Sequence, residues 1–201
     1  TNCNNMKNNL YEEVLEKLVK YYEGYSKVHR GTTQPYYYQK VKKLVPTYEY
    51  KPDGEMFIET LMEHVGSLPI VASTLYPYIG DSEVDLGHAL VLLSIHDIGE
   101  LTTGDEITFL KNKNKSKSGL NEQVEALKLL DPYYHDLYME IESRSTKTAR
   151  FAKSIDKITP DILDYINPSE VTVLRYQKLM KKSPSEIVSL IKEFKHPYMQ
   201  W

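Results

Sequence analysis

The chain has 201 residues, 41% hydrophobic and 26% charged, a balance that suits one sizeable core in an ordinary globular protein. A formal net charge of −3 excludes a strong basic field for nucleic acid or for an anionic membrane surface. The single cysteine, Cys3, excludes an internal disulfide and a cysteine metal knuckle, and no apolar run approaches the ~20 residues of a membrane span. The opening TNCNNMKNNL lacks the basic and apolar regions of a signal peptide, so a cytoplasmic protein is expected.

Residues 1–9 are polar and predict no regular structure. Leu10, Val14, Leu15, Leu18, Val19 and Tyr22 recur at helical spacing, and Gly24 is the expected stop. Gly31, Pro35, Pro46, Pro52 and Gly54 permit only a short helix, around 39–45, before residue 55. Residues 1–54 therefore read as an N-terminal extension and 55–201 as the main helical domain. A helix over 55–78 carries Phe57, Leu61, Val65, Leu68, Val71, Ala72 and Leu75, with a kink expected at Pro69. The next runs from Val84 to Ile98 and is closed by Gly99.

KNKNKSKSG (111–119) reads as a polar basic loop. Helices are expected over 120–130, from Pro132 to Glu142, over 146–159, and at 168–182 and 184–194. Val171-Thr172-Val173 is too short to count as a strand. The expected fold is all-α.

Ionisable residues interrupt the apolar faces of these helices. His64 shares a face with Leu61, Leu68 and Val71. In SIHDIGE, His96 and Asp97 continue the stripe of Leu86, Ala89, Leu90 and Leu93. Asp156 lies beside the stripe of Phe151 and Ile155. Two imidazoles and two carboxylates aimed inward from three helices form a ligand set for one divalent metal. Such an ion would remove the cost of burying unpaired carboxylates. It would also polarise a phosphoryl oxygen and lower the pKa of a coordinated water. Glu100, one turn past Asp97, and Asp105, after Gly104, are placed to hold a water or move a proton.

Each residue alone has a blander reading: a core histidine for His64, a surface charge for Asp156, a solvated helix end for Glu100, a cap for Asp105. A second His-Asp pair, His135-Asp136, has no long apolar run before it and no glycine after it. That pair reads as structural or surface.

The ordered set His64, His96-Asp97, Asp156 resembles the H…HD…D motif of the HD-domain superfamily of metal-dependent phosphohydrolases. MEHVGSLPIVA, HALVLLSIHDIGELTTGDE and STKTARFAKSIDKI carry the resemblance, over about residues 55–165. It implies a compact multi-helix bundle with an additional N-terminal helix. One divalent ion (Mn, Co, Fe, Zn, Ni or Mg) would sit on His64, His96, Asp97 and Asp156. Glu100 would move protons, and Asp105 would support the attacking water or a nucleotide sugar.

His96-Asp97-x-x-Glu100 with Gly104-Asp105 is most similar to the 5′-deoxynucleotidase-like branch. That similarity implies a phosphomonoesterase acting on a small phosphorylated substrate, a nucleoside 5′-monophosphate or like ester, and a homodimer. Lys111 and Lys153 are the basic residues placed to bind phosphate. The branch carries an arginine-tryptophan pair upstream of its first histidine. Here PTYEYKPDGEMFIETLME has neither. The alternative is a non-catalytic nucleotide-binding or interaction protein that retains the fold.

Overall fold

The computed structural model describes residues 2–30, 59–105 and 115–166, with 181, 182, 186, 189 and 190 as isolated positions. Among the described residues every element is helical, apart from one antiparallel bridge between His29 and Thr60. The all-α expectation holds. No described helix is long and apolar enough to cross a membrane.

Helix α1 (Asn2–Lys27) leads into the bridge, where the Arg30 N–H donates to the Glu59 carbonyl and the Leu61 N–H to the Val28 carbonyl, both at 2.8 Å. Helix α2 (Leu61–Leu75) begins with a reciprocal cap. Thr60 Oγ1 accepts from the Glu63 N–H at 3.2 Å, and the Glu63 carboxylate accepts from the Thr60 N–H at 2.7 Å. Such a cap contributes about 1 kcal/mol. The helix runs through Pro69 and buries Leu61, His64, Leu68, Ala72 and Leu75 on one stripe.

Helix α3 (Leu86–Ile95) starts at Asp85, whose carboxylate accepts from the His88 N–H. A turn over residues 96–99 leads to the short α4 (Glu100–Thr103). Helices α5 (Lys115–Leu129), α6 (His135–Ser143) and α7 (Lys147–Ile166) complete the described bundle.

Helices α2, α3 and α7 pack mutually and enclose the main core of Leu68, Ala72, Leu92, Leu93, Phe151, Ile155 and Ile158. Each fully buried Leu, Ile or Phe side chain there contributes about 2 kcal/mol. A smaller core of Ile98, Ala126, Leu130 and Tyr138 joins the turn after α3 to α5 and α6.

Several boundaries differ from the sequence expectation. The opening residues are helical from Asn2, and α1 passes through Gly24 to Lys27 instead of stopping there. The KNKNKSKSG stretch is not all loop, since residues 115–119 already belong to α5. Helix α7 continues past residue 159 through Pro160. Gly99 has φ −64° and ψ −28°, ordinary helical values, so it does not end α3 by a left-handed turn. Its role is close approach: a Cβ there would lie 2.3 Å from the Glu122 carbonyl oxygen of α5. The helix expected around 39–45, most of the two closing helices and Lys111 lie outside the described residues.

Candidate metal centre

Three helices deliver the four predicted ligands to one interior point. His64 comes from the second turn of α2, His96 and Asp97 from the end of α3, and Asp156 from the middle of α7; all four are buried. One donor atom from each lies within 4.8 Å of all the others. His96 Nε2 is 3.1 Å from Asp97 Oδ1 and 3.3 Å from Asp156 Oδ1. His64 Nε2 is 3.4 Å from Asp156 Oδ1 and 3.6 Å from Asp97 Oδ2.

The set fits a divalent ion on three counts. Donors placed about 2.1 Å from a common ion lie about 3.0–3.4 Å from one another, close to the separations seen. His96 Nδ1 donates to the Leu93 carbonyl at 2.7 Å, which fixes the ring with Nε2 toward the cluster, the nitrogen that would ligate. Both ring nitrogens of His64 are buried without a hydrogen-bond partner, an uncommon state that coordination through one of them would relieve.

The two imidazoles differ in their electrostatics. Burial, and then the Arg30 charge, lower the His64 pKa and keep it neutral, the form that ligates. For His96 burial also acts downward, but the Asp97 and Asp156 carboxylates outweigh it and push the imidazole up to about 9. Burial would raise both carboxylates; His96 holds Asp97 low, and Lys157 with His96 holds Asp156 low. Both carboxylates stay charged, and an ion ligated by His96 would displace the proton that they hold on its ring.

Glu100 and Asp105 reach the same place. Glu100 is buried at the start of α4, and burial together with Asp97 and Asp105 raises its carboxyl well above the usual range. Gly104 precedes Asp105 with φ +75°, a conformation that favours glycine.

The residue that sequence reasoning missed is Arg30. Its Nη1 lies 3.2 Å from Asp97 Oδ2 and 3.4 Å from Glu100 Oε2, and its Nε lies 3.6 Å from Asp105 and 3.9 Å from Glu59. Burial disfavours its charge, but Asp105, Asp97 and Glu100 more than compensate. The stretch directly before His64 contains no arginine. The bridge between residues 28–30 and 59–61 brings Arg30 there from much farther up the chain. One signal was available: arginine occurs only at 30, 144, 150 and 175 in a lysine-rich chain. Glu59 was also overlooked. Its Oε1 is 3.8 Å from His64 Nδ1, and burial pushes its carboxyl up to about 7.

Lys153 borders the centre, with Nζ 3.1 Å from Glu142 and 3.6 Å from Asp156. The second His-Asp pair is elsewhere. His135 Nε2 meets the Leu130 carbonyl at 3.1 Å, and Asp136 is exposed.

This geometry is that of a buried His-Asp metal centre in a helical bundle. The chain belongs to the HD-domain family, whose profile matches residues 53–195. A solved structure described as a predicted metal-dependent phosphohydrolase from Magnetospirillum magnetotacticum MS-1 is 23% identical. That match covers 81% of this chain and 84% of the other, with a TM-score of 0.49. No curated protein matches the chain.

Proposed function

We propose that the protein is a metal-dependent phosphohydrolase, and specifically a phosphomonoesterase of the 5′-nucleotidase kind. The observation that carries the reading is the four-donor cluster with Glu100, Asp105 and Arg30 on its rim. His64, His96, Asp97 and Asp156 would hold one divalent ion. When bound, that ion supplies Lewis acidity toward a phosphoryl oxygen and lowers the pKa of water.

The remaining residues divide the work by charge. Arg30 is a half-buried cation beside the cluster, and its planar fork suits two oxygens of a phosphate. Lys153 adds a second positive charge from α7, and Lys111 is retained as a phosphate-binding candidate from the sequence. Glu100, raised by burial and by its acidic neighbours, is suited to carry a proton to the leaving oxygen or to take one from water. Asp105, beside Arg30, supports the attacking water or the sugar.

The nucleotide assignment rests on the His96-Asp97-x-x-Glu100 and Gly104-Asp105 pattern. Arg30 strengthens it by supplying an upstream arginine at the site.

The test pairs metal analysis with a panel of nucleoside 5′-monophosphates and other small phosphate esters, with Mn, Co or Mg added. We expect one tightly bound divalent ion per chain and metal-dependent release of phosphate. Glu100→Gln should retain the ion and lose about 100-fold or more in kcat. Full turnover by Glu100→Gln, or hydrolysis unaffected by chelation, would overturn the assignment.

A further inference from the structure

Among the described residues, helix α1 meets the body mainly through the last two turns. Tyr21 Oη donates to the Leu129 carbonyl, Gly24 lies against Leu101, and Tyr25 Oη reaches the Ser94 carbonyl. One side is apolar and open to solvent: Tyr11 is 67% exposed, Leu15 61%, Leu18 57% and Tyr22 68%. Their spacing of four, three and four residues is the seam of a helix that packs against another helix. Val14 and Val19 flank that seam and are also exposed. An isolated amphipathic helix of this length would not keep so continuous an apolar face in water without a partner.

We infer that α1 is a homodimerisation helix, packed antiparallel against α1 of a second copy of the chain. The occupant is specified by symmetry. Apart from Leu10, which lies off the seam, the exposed apolar residues of α1 mirror themselves about the midpoint between Glu16 and Lys17, pairing Tyr11 with Tyr22, Val14 with Val19 and Leu15 with Leu18. A two-fold contact must be self-complementary, and this set meets that demand without any change. In the antiparallel arrangement Leu15 of one copy lies across from Leu18 of the other, and Tyr11 across from Tyr22.

The charges follow the same mirror. Within residues 10–27 the first half carries Glu12, Glu13 and Glu16, and the second carries Lys17, Lys20 and Lys27 with Glu23 as the exception. Antiparallel packing lays each acidic half beside a basic half, whereas parallel packing would juxtapose like charges. The inference is independent of the catalytic reading.

The test is sedimentation velocity on the full chain over a wide concentration range. Twice the 23.4 kDa of one chain is expected. Leu15→Glu or Leu18→Glu should raise the dimer dissociation constant about 100-fold or more, with metal content and helical circular dichroism retained. A second experiment covers the case in which those variants fold poorly. In a Cys3→Ser background, chains with Tyr11→Cys and chains with Tyr22→Cys are mixed and oxidised. Disulfides should form between the two kinds of chain and not within either kind. Two copies of position 11 would lie about 16 Å apart along the antiparallel pair, beyond disulfide reach. A monomer at every concentration would overturn the proposal, including one that binds anionic vesicles or a different protein. A dimer indifferent to both glutamates, or one that cross-links position 11 to itself, would overturn it equally.

Discussion

The chain contains the dipeptide His-Asp twice, and the two copies have opposite fates. His96-Asp97 is buried at the end of α3 among ionisable side chains from α2 and α7. His135-Asp136 opens α6 at the surface, with the histidine on the Leu130 carbonyl and the aspartate in water. The dipeptide is identical, so the difference lies in what surrounds it. Ten residues of nearly continuous apolar helix carry the first pair inward. The second follows a Pro-Tyr-Tyr turn with nothing to bury. A buried His-Asp pair needs partners that share its desolvation cost, and only the first has them.

The comparison can be broken by substitution. The largest effect is expected from Asp97→Ala, which should lower divalent-metal affinity more than 100-fold, beyond the roughly 10–100-fold cost of losing a mere supporting residue. Asp136→Ala should leave metal content unchanged and stability within about 0.5 kcal/mol. Titration with metal under chelator competition separates the two, and equal losses would remove the distinction between the pairs.

Arg30→Ala comes next. In the metal-free protein it leaves Asp97, Glu100 and Asp105 without their shared cation and should cost about 3 kcal/mol, read by urea denaturation. The same change removes a positive charge beside the ligands, so divalent-metal affinity should rise while phosphatase activity falls. Metal affinity and activity falling together would place Arg30 in the scaffold instead.

Gly99→Ala should be smaller, about 1–3 kcal/mol, because the new Cβ meets the backbone of α5 first, at the Glu122 carbonyl. A lower Tm with metal stoichiometry retained is expected. An unchanged Tm would mean that the contact between the 96–99 turn and α5 yields easily.

Much of the centre was legible in the sequence. His64, His96 and Asp97 interrupt apolar stripes at helical spacing, and Asp156 lies beside one, so local periodicity pointed them inward. The errors were also local in origin. Gly99 and Gly24 read as stops because glycine commonly ends helices. The structure uses Gly99 in ordinary helical geometry for its missing Cβ, and Gly24 lies within a continuing helix against Leu101. The Asn-rich start reads as irregular by propensity, yet it is helical.

By itself the sequence determined which residues face a core, because helical period is a property of neighbours three and four positions apart. It therefore determined that two imidazoles and two carboxylates point inward on three helices. Only the tertiary structure decided that their donor atoms meet within 4.8 Å, and that Arg30 and Glu59 join them. Those contacts depend on the bridge between residues 28–30 and 59–61 and on the packing of α2, α3 and α7. No local pattern encodes a distance between residues that lie far apart along the chain.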